Sequence, residues 1–193
     1  MTGLLMAEAL KYGDLIHLQN AYKNWGGGYL DTNSPSTATG GVYGVSTADG
    51  PNRGEGTGTW EVASADGKAA GTPVASGDLI TLRNLYAAGS YLDTNGHAPA
   101  EQKKSGGKHD VHTAKGADRG TGTAEWRIFA QTSDPKDGTV HIGDSVHLWN
   151  VYGGNGGFLE TNGAGPAAGL FEVVTNAYYN RAENVADWRI SSA

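Results

Sequence analysis

Cysteine is absent from the 193 residues, so no disulfide framework and no thiolate metal site can form, and packing and hydrogen bonds alone must hold the fold. Long apolar runs are also missing, and no stretch could cross a bilayer as a helix, so membrane insertion is not expected. Basic charge is scarce, with 14 Lys and Arg against 20 Asp and Glu for a net charge of −6. No Lys/Arg stripe could neutralise a row of phosphates, which argues against nucleic acid and heparin-like polyanions as partners. The longest basic cluster, Lys103, Lys104 and Lys108, sits in a Gly/Ser-rich stretch and reads as a solvated loop. The first ten residues, Met1 to Leu10, lack the basic, apolar and cleavage regions of a signal peptide. The expected location is therefore the cytoplasm, or release by a route that needs no such signal.

Glycine, by contrast, is abundant at 31 residues, and only two methionines are present. That balance favours many short strands joined by tight turns over helices. The length suits one domain, taken here as 1-193.

One unit recurs three times. The stretch Gly13 to Tyr22 (GDLIHLQNAY) returns as Gly77 to Tyr86 (GDLITLRNLY) and as Gly143 to Tyr152 (GDSVHLWNVY). A second block follows each: Tyr29-Leu30-Asp31-Thr32-Asn33, Tyr91-Leu92-Asp93-Thr94-Asn95 and Phe158-Leu159-Glu160-Thr161-Asn162. Each copy closes on Trp60, Trp126 or Trp188, and Arg53, Arg119 and Arg181 stand seven residues before these tryptophans. The repeats occupy about residues 12-65, 76-131 and 141-191. Within the first block Ile16 and Leu18 alternate with His17 and Gln19, as Ile80/Leu82 and Val146/Leu148 do in the other copies, which is the period of a half-buried strand. Turn-formers such as Gly26-Gly27-Gly28, Asn95-Gly96 and Asn162-Gly163 separate the blocks. About four short strands per copy follow. Three such units must share one core, and closing them into a barrel around a pseudo-threefold axis removes sheet edges.

The aromatic-Leu-Asp blocks, each followed by a strand around a Trp, resemble the β-trefoils of the ricin B-chain lectin type over about residues 12 to 191. The resemblance implies an all-β fold, a six-strand barrel capped by three hairpins. It also implies a carbohydrate-binding protein without catalytic activity or cofactors, with glycans or glycoproteins as partners at up to three rim sites. The chain departs from that family at the Gln-x-Trp signature, where Gly58, Ala124 and Ala186 stand two residues before each Trp.

Leu18/Leu82/Leu148, Leu30/Leu92/Leu159, the three tryptophans and Val62/Ile128/Ile190 read as core. Asp31, Asp93 and Glu160 follow the buried leucine, so alternation sends them to the outer side, beside Asn33, Asn95 and Asn162. A carboxylate next to an amide suits pairs of hydroxyls, and the lectin resemblance gives Asp31 and Asp93 that role, with an altered site at Glu160. Arg53, Arg119 and Arg181 join the carboxylates and amides as candidate sugar-binding residues, while the competing reading pairs Asp31 with Arg53, Asp93 with Arg119 and Glu160 with Arg181 as structural ion pairs. Asp14/Asp78/Asp144 and Asn20/Asn84/Asn150 read as turn formers. Tyr22, Tyr86 and Tyr152 either stack on a sugar or cover the barrel wall. For a sugar platform, Tyr43, His112 and Tyr178 or Tyr179 are the aromatic candidates.

Catalysis is not expected. The repeated carboxylates come from three separate corners, and no nucleophile elbow, phosphate loop or zincin helix occurs. His109 and His112 form only a weak metal pattern. Gly58-Thr59-Trp60-Glu61-Val62 also resembles the Kunitz soybean-type inhibitors, in which case Lys103 to Lys108 would be the protease-binding loop. A protein-binding or toxin-targeting module is the other alternative.

Overall fold

The computed structural model describes residues 6–193. Half of the N-terminal stretch Met1 to Leu10, residues 1–5, lies outside the described residues. The period-two blocks become strands, and four fall in each copy of the repeat. The first copy holds β1 (Leu15–Asn20), β2 (Tyr29–Pro35), β3 (Gly41–Ala48) and β4 (Trp60–Ser64). The second holds β5 (Leu79–Asn84), β6 (Ser90–His97), β7 (Gly107–Ala114) and β8 (Trp126–Thr132). The third holds β9 (Ser145–Asn150), β10 (Gly157–Ala164), β11 (Phe171–Asn176) and β12 (Trp188–Ser192).

The expected β-trefoil, a six-strand barrel with three hairpins set on it as a cap, is corrected by the hydrogen bonding. All twelve strands belong to one antiparallel sheet. A closed circuit of ten strands runs β1–β4–β5–β6–β7–β3–β11–β10–β9–β12 and back to β1, with β2 and β8 as the two outer strands. The hairpins do not stand apart from the wall, because β5 pairs with β6 and β9 with β10, while β3, β7 and β11 pair with one another. Edges that a separate cap would leave open are thereby consumed.

Inside, Leu18, Leu30, Ile80, Leu82, Leu92, Leu148, Leu159 and Ile190 pack with Trp60, Trp126 and Trp188 in one apolar cluster. Burial contributes roughly 1.5–3 kcal/mol for each large side chain. The indoles also fix the register between hairpin and wall. Trp60, Trp126 and Trp188 donate from Nε1 to the carbonyls of Leu30, Leu92 and Leu159 at 2.9, 3.0 and 3.0 Å. The turn before the first strand of each copy is capped by Asp14, Asp78 or Asp144, whose Oδ2 accepts from the backbone of Lys11, Ala75 or His141 at 2.9, 3.0 and 2.7 Å. The preceding Gly13, Gly77 and Gly143 have φ of 96°, 95° and 96°, where a side chain would be strained.

One local expectation changes. The stretch around Lys103 to Lys108 is not a loop throughout: Ala100–Lys103 forms a helical turn and Lys108 lies on β7. The missing Gln-x-Trp signature has a packing cause. A Cβ on Gly58 would come within 1.8 Å of the Pro51 carbonyl oxygen, and Ala124 and Ala186 are fully buried. A glutamine at position 58 would therefore collide with that carbonyl.

Candidate functional site

Where two copies of the repeat meet, a buried asparagine organises the junction. Asn20, Asn84 and Asn150 donate from Nδ2 to the carbonyls of Val185, Thr57 and Thr123, each in a neighbouring copy, at 2.8, 2.9 and 2.8 Å. The Oδ1 of each accepts the backbone N–H of Tyr22, Tyr86 or Tyr152 at 3.0 Å. Read from sequence as turn formers, these side chains also clamp one copy to the next. They aim a tyrosine across the junction.

Each tyrosine meets an aromatic ring of the other copy edge to face. Tyr86 faces Tyr43 at 5.2 Å between centroids, Tyr152 faces His109 at 5.5 Å and Tyr22 faces Phe171 at 5.3 Å. Such pairs leave a half-exposed aromatic wall that costs little entropy to hold still. The opposite wall is an arginine. Arg53, Arg119 and Arg181 donate from Nε to Asp31 Oδ1, Asp93 Oδ1 and Glu160 Oε2 at 3.1, 3.2 and 3.1 Å, and from Nη2 to the carbonyls of Thr32, Thr94 and Thr161 at 2.9, 3.0 and 3.1 Å. Among the described residues Nη1 has no partner in any copy, so its two N–H groups are free donors. The resulting grooves, named here by their tyrosines, have volumes of about 540 Å³ at Tyr86, 260 Å³ at Tyr152 and 390 Å³ at Tyr22.

The carboxylates sit elsewhere than alternation suggested. Asp31, Asp93 and Glu160 have no exposed surface, so the outer rim position is corrected to a buried ion pair with Arg53, Arg119 and Arg181. Both faces of β2, β6 and β10 are covered here, and the competing ion-pair reading describes the contacts. Burial pushes the Asp93 and Glu160 carboxyls above the usual range, and the neighbouring guanidinium pulls each partly back. Among the described residues the second oxygen, Oδ2, of Asp31 and of Asp93 is buried without a partner. In the third copy the longer arm finds more: Glu160 Oε1 accepts from Asn162 at 2.9 Å and Asn176 at 2.8 Å.

The rim amides are committed too. Asn33 donates to the carbonyl of Ala167, Asn95 to that of Thr39 and Asn162 to the Ser105 hydroxyl, at 3.0, 2.9 and 3.0 Å. Each bond reaches a different copy, so the three amides tie the hairpins into a ring. Of the platform candidates, Tyr43 lines the Tyr86 groove, whereas His112 lines none of the three. Its Nδ1 lies 2.8 Å from Ser36 Oγ and its Nε2 2.9 Å from Asp110 Oδ2, away from His109, so the two histidines share no site. Tyr178 and Tyr179 lie in the exposed loop after β11, not in these grooves. Sequence reasoning missed His109 and Phe171 as counterparts of Tyr43. The signal was present, because Tyr43, His109 and Phe171 each stand 17 residues before a repeat tryptophan.

No protein-family model and no curated protein matches this sequence. Solved structures do. An SDF2-like protein from Arabidopsis thaliana superposes with a TM-score of 0.69 at 17% identity, over 95% of this chain and 94% of that one. A ricin B-like lectin from Macrolepiota procera, determined in complex with lactose, gives 0.58 at 15% identity, over 95% and 99%. The binding domain of botulinum neurotoxin serotype D gives 0.67 at 14% identity, over 97% of this chain and 44% of that structure. At these identities the likeness is one of fold.

Proposed function

We propose that the protein is a carbohydrate-binding module, without catalytic activity, whose binding sites are the three junction grooves. The observation that carries this reading is the threefold recurrence of one constellation: an edge-to-face aromatic pair opposite an arginine with a free Nη1. An aromatic face covers the C–H side of a sugar ring, and a fixed guanidinium donates to a hydroxyl or ring oxygen. Fold likeness to a lectin solved with lactose supports the same ligand class. The carboxylates act indirectly, by holding the arginines in place. The inhibitor alternative loses support, because its only candidate loop is partly helix and strand.

Sugar titration followed by NMR tests the proposal. Lactose and glucose are expected to move the ring signals of Tyr22, Tyr86 or Tyr152 in a saturable way, with weak single-site affinity. Tyr86→Ala removes the response of its own groove and leaves the other two. A glycan panel and titrations that move none of the three tyrosines would refute it.

A further inference from the structure

The three grooves share a plan but differ in charge. Facing the Tyr86 groove, the cross-strand pair is Pro35 and Tyr43, and facing the Tyr22 groove it is Ala164 and Phe171. At the same register position the Tyr152 groove carries His97 and His109. Their ring planes lie within 15° of each other with centroids 6.4 Å apart. His109 Nδ1 lies 3.1 Å from the Gly96 carbonyl oxygen, which can only accept, so Nδ1 carries a proton and Nε2 is left for a ligand. Arg119 completes the wall with its free Nη1.

Negative charge is missing from this groove. Among the described residues no carboxylate lines it or the Tyr86 groove, whereas Glu183 lines the Tyr22 groove, so the histidine pair is what sets the Tyr152 groove apart from the Tyr86 groove. Around His109 the other charged groups are Lys108 on its own strand, His97 on β6 and Arg119 in the loop after β7. Asp110, the next residue, engages His112, and Asp93 is buried behind Arg119. Lys108 Nζ donates to the carbonyl of Asn155 near Tyr152.

We infer that the Tyr152 groove selects a sugar bearing a carboxylate, of the uronic-acid class, while the other two grooves take neutral sugars. This deepens the proposed function and rests on it. The carboxylate meets Arg119 Nη1 and His109 Nε2, and the sugar ring lies against Tyr152. Binding is tied to protonation of His109. Burial, with Lys108 and His97 adding to it, holds the free imidazole below its ordinary pKa. A bound carboxylate favours the imidazolium and raises that pKa, so affinity tightens as pH falls between the bound and free values.

Glucose and glucuronic acid differ only at C6 and provide the probe. Titrations at about pH 7.5 and about pH 5.5, read at Tyr152 and the histidine rings, are expected to show glucuronic acid gaining several-fold in affinity at the lower pH, with a ceiling near tenfold per pH unit for one proton, and glucose staying flat. His109→Phe installs the residue type that the Tyr22 groove already uses, so it is compatible with the fold. It should abolish the pH response while Tyr22 and Tyr86 still report glucose. His97→Ala, matching Ala164, should weaken it. Equal affinity for both sugars at both pH values would overturn the inference, as would inorganic sulfate binding as tightly as glucuronic acid. Absence of any sugar binding in all three grooves would instead defeat the carbohydrate reading itself.

Discussion

Asn84 and Thr57 belong to different copies of the repeat, yet the Asn84 amide donates to the Thr57 carbonyl at 2.9 Å in a fully buried position. The same side chain accepts the Tyr86 backbone N–H at 3.0 Å, so one amide both joins two copies and sets the groove wall. The stability of the fold and the shape of the groove are thereby linked through one buried side chain.

Asn84→Ala tests that link. Removing the amide leaves the Tyr86 N–H without its acceptor, whereas the Thr57 carbonyl keeps the Thr32 N–H at 2.9 Å, and a buried unpaired group costs about 1–3 kcal/mol. We expect a loss of about 1–3 kcal/mol in denaturant unfolding, with the Tyr86 ring signal broadened. A loss below about 1 kcal/mol would show that the junction is held mainly by other contacts.

Tyr86→Ala separates binding from folding. The ring is 38% exposed and its contact with Tyr43 is a surface pair. Such pairs are worth about 0.5–1.5 kcal/mol, so thermal unfolding should shift little while sugar binding in that groove is lost. A large drop in stability would make the tyrosine a structural element first.

Gly58→Ala probes the close approach of the chain two residues before Trp60. The new Cβ would meet the Pro51 carbonyl at 1.8 Å, a contact with backbone that no rotamer relieves. The loop must move, at a cost of about 1–3 kcal/mol or more. Ala124→Gly, at the matching position of the second copy, leaves a small cavity and should cost about 1 kcal/mol. Should Gly58→Ala prove neutral, the loop is looser than its packing implies.

How far the sequence went follows from how each feature is built. The repeated tryptophans, leucines and arginines were legible because each copy needs them for its own packing. Strand closure was misjudged, since period-two patterning names strands but not which of them bond across copies. Asp31 was sent outward because alternation assumes one solvated face, whereas the loop bearing Arg53 covers that face of β2. The grooves were hidden because each draws on two copies: Tyr43 and Tyr86 are 43 residues apart in the chain. Only the fixed distance from each tryptophan marked their shared position.

The Arg119–Asp93 pair gives a pH-dependent prediction. Asp93 has no exposed surface and, among the described residues, a buried Oδ2 without a partner, and Arg119 is the cation that compensates its charge. Removing one member of a buried pair costs about 3–5 kcal/mol, and because the guanidinium is 34% exposed we discount this to about 2–4 kcal/mol for Arg119→Ala at pH 7. The Asp93 carboxyl is already raised by burial. In the variant it rises further, because the cation no longer pulls it down. A carboxyl whose folded pKa exceeds its unfolded value, about 3.9, binds protons more tightly when folded. Its contribution to stability is therefore greatest below that unfolded value and declines as pH climbs through the folded pKa. Lowering the pH from about 7 to about 5 should accordingly shrink the deficit of Arg119→Ala relative to the unsubstituted protein. Adding Asp93→Asn should recover much of the loss at pH 7, since a neutral amide needs no counter-charge. A deficit that is the same at both pH values, and is not rescued by Asp93→Asn, would show that Arg119 stabilises the fold through its bond to the Thr94 carbonyl and its packing, not by neutralising Asp93.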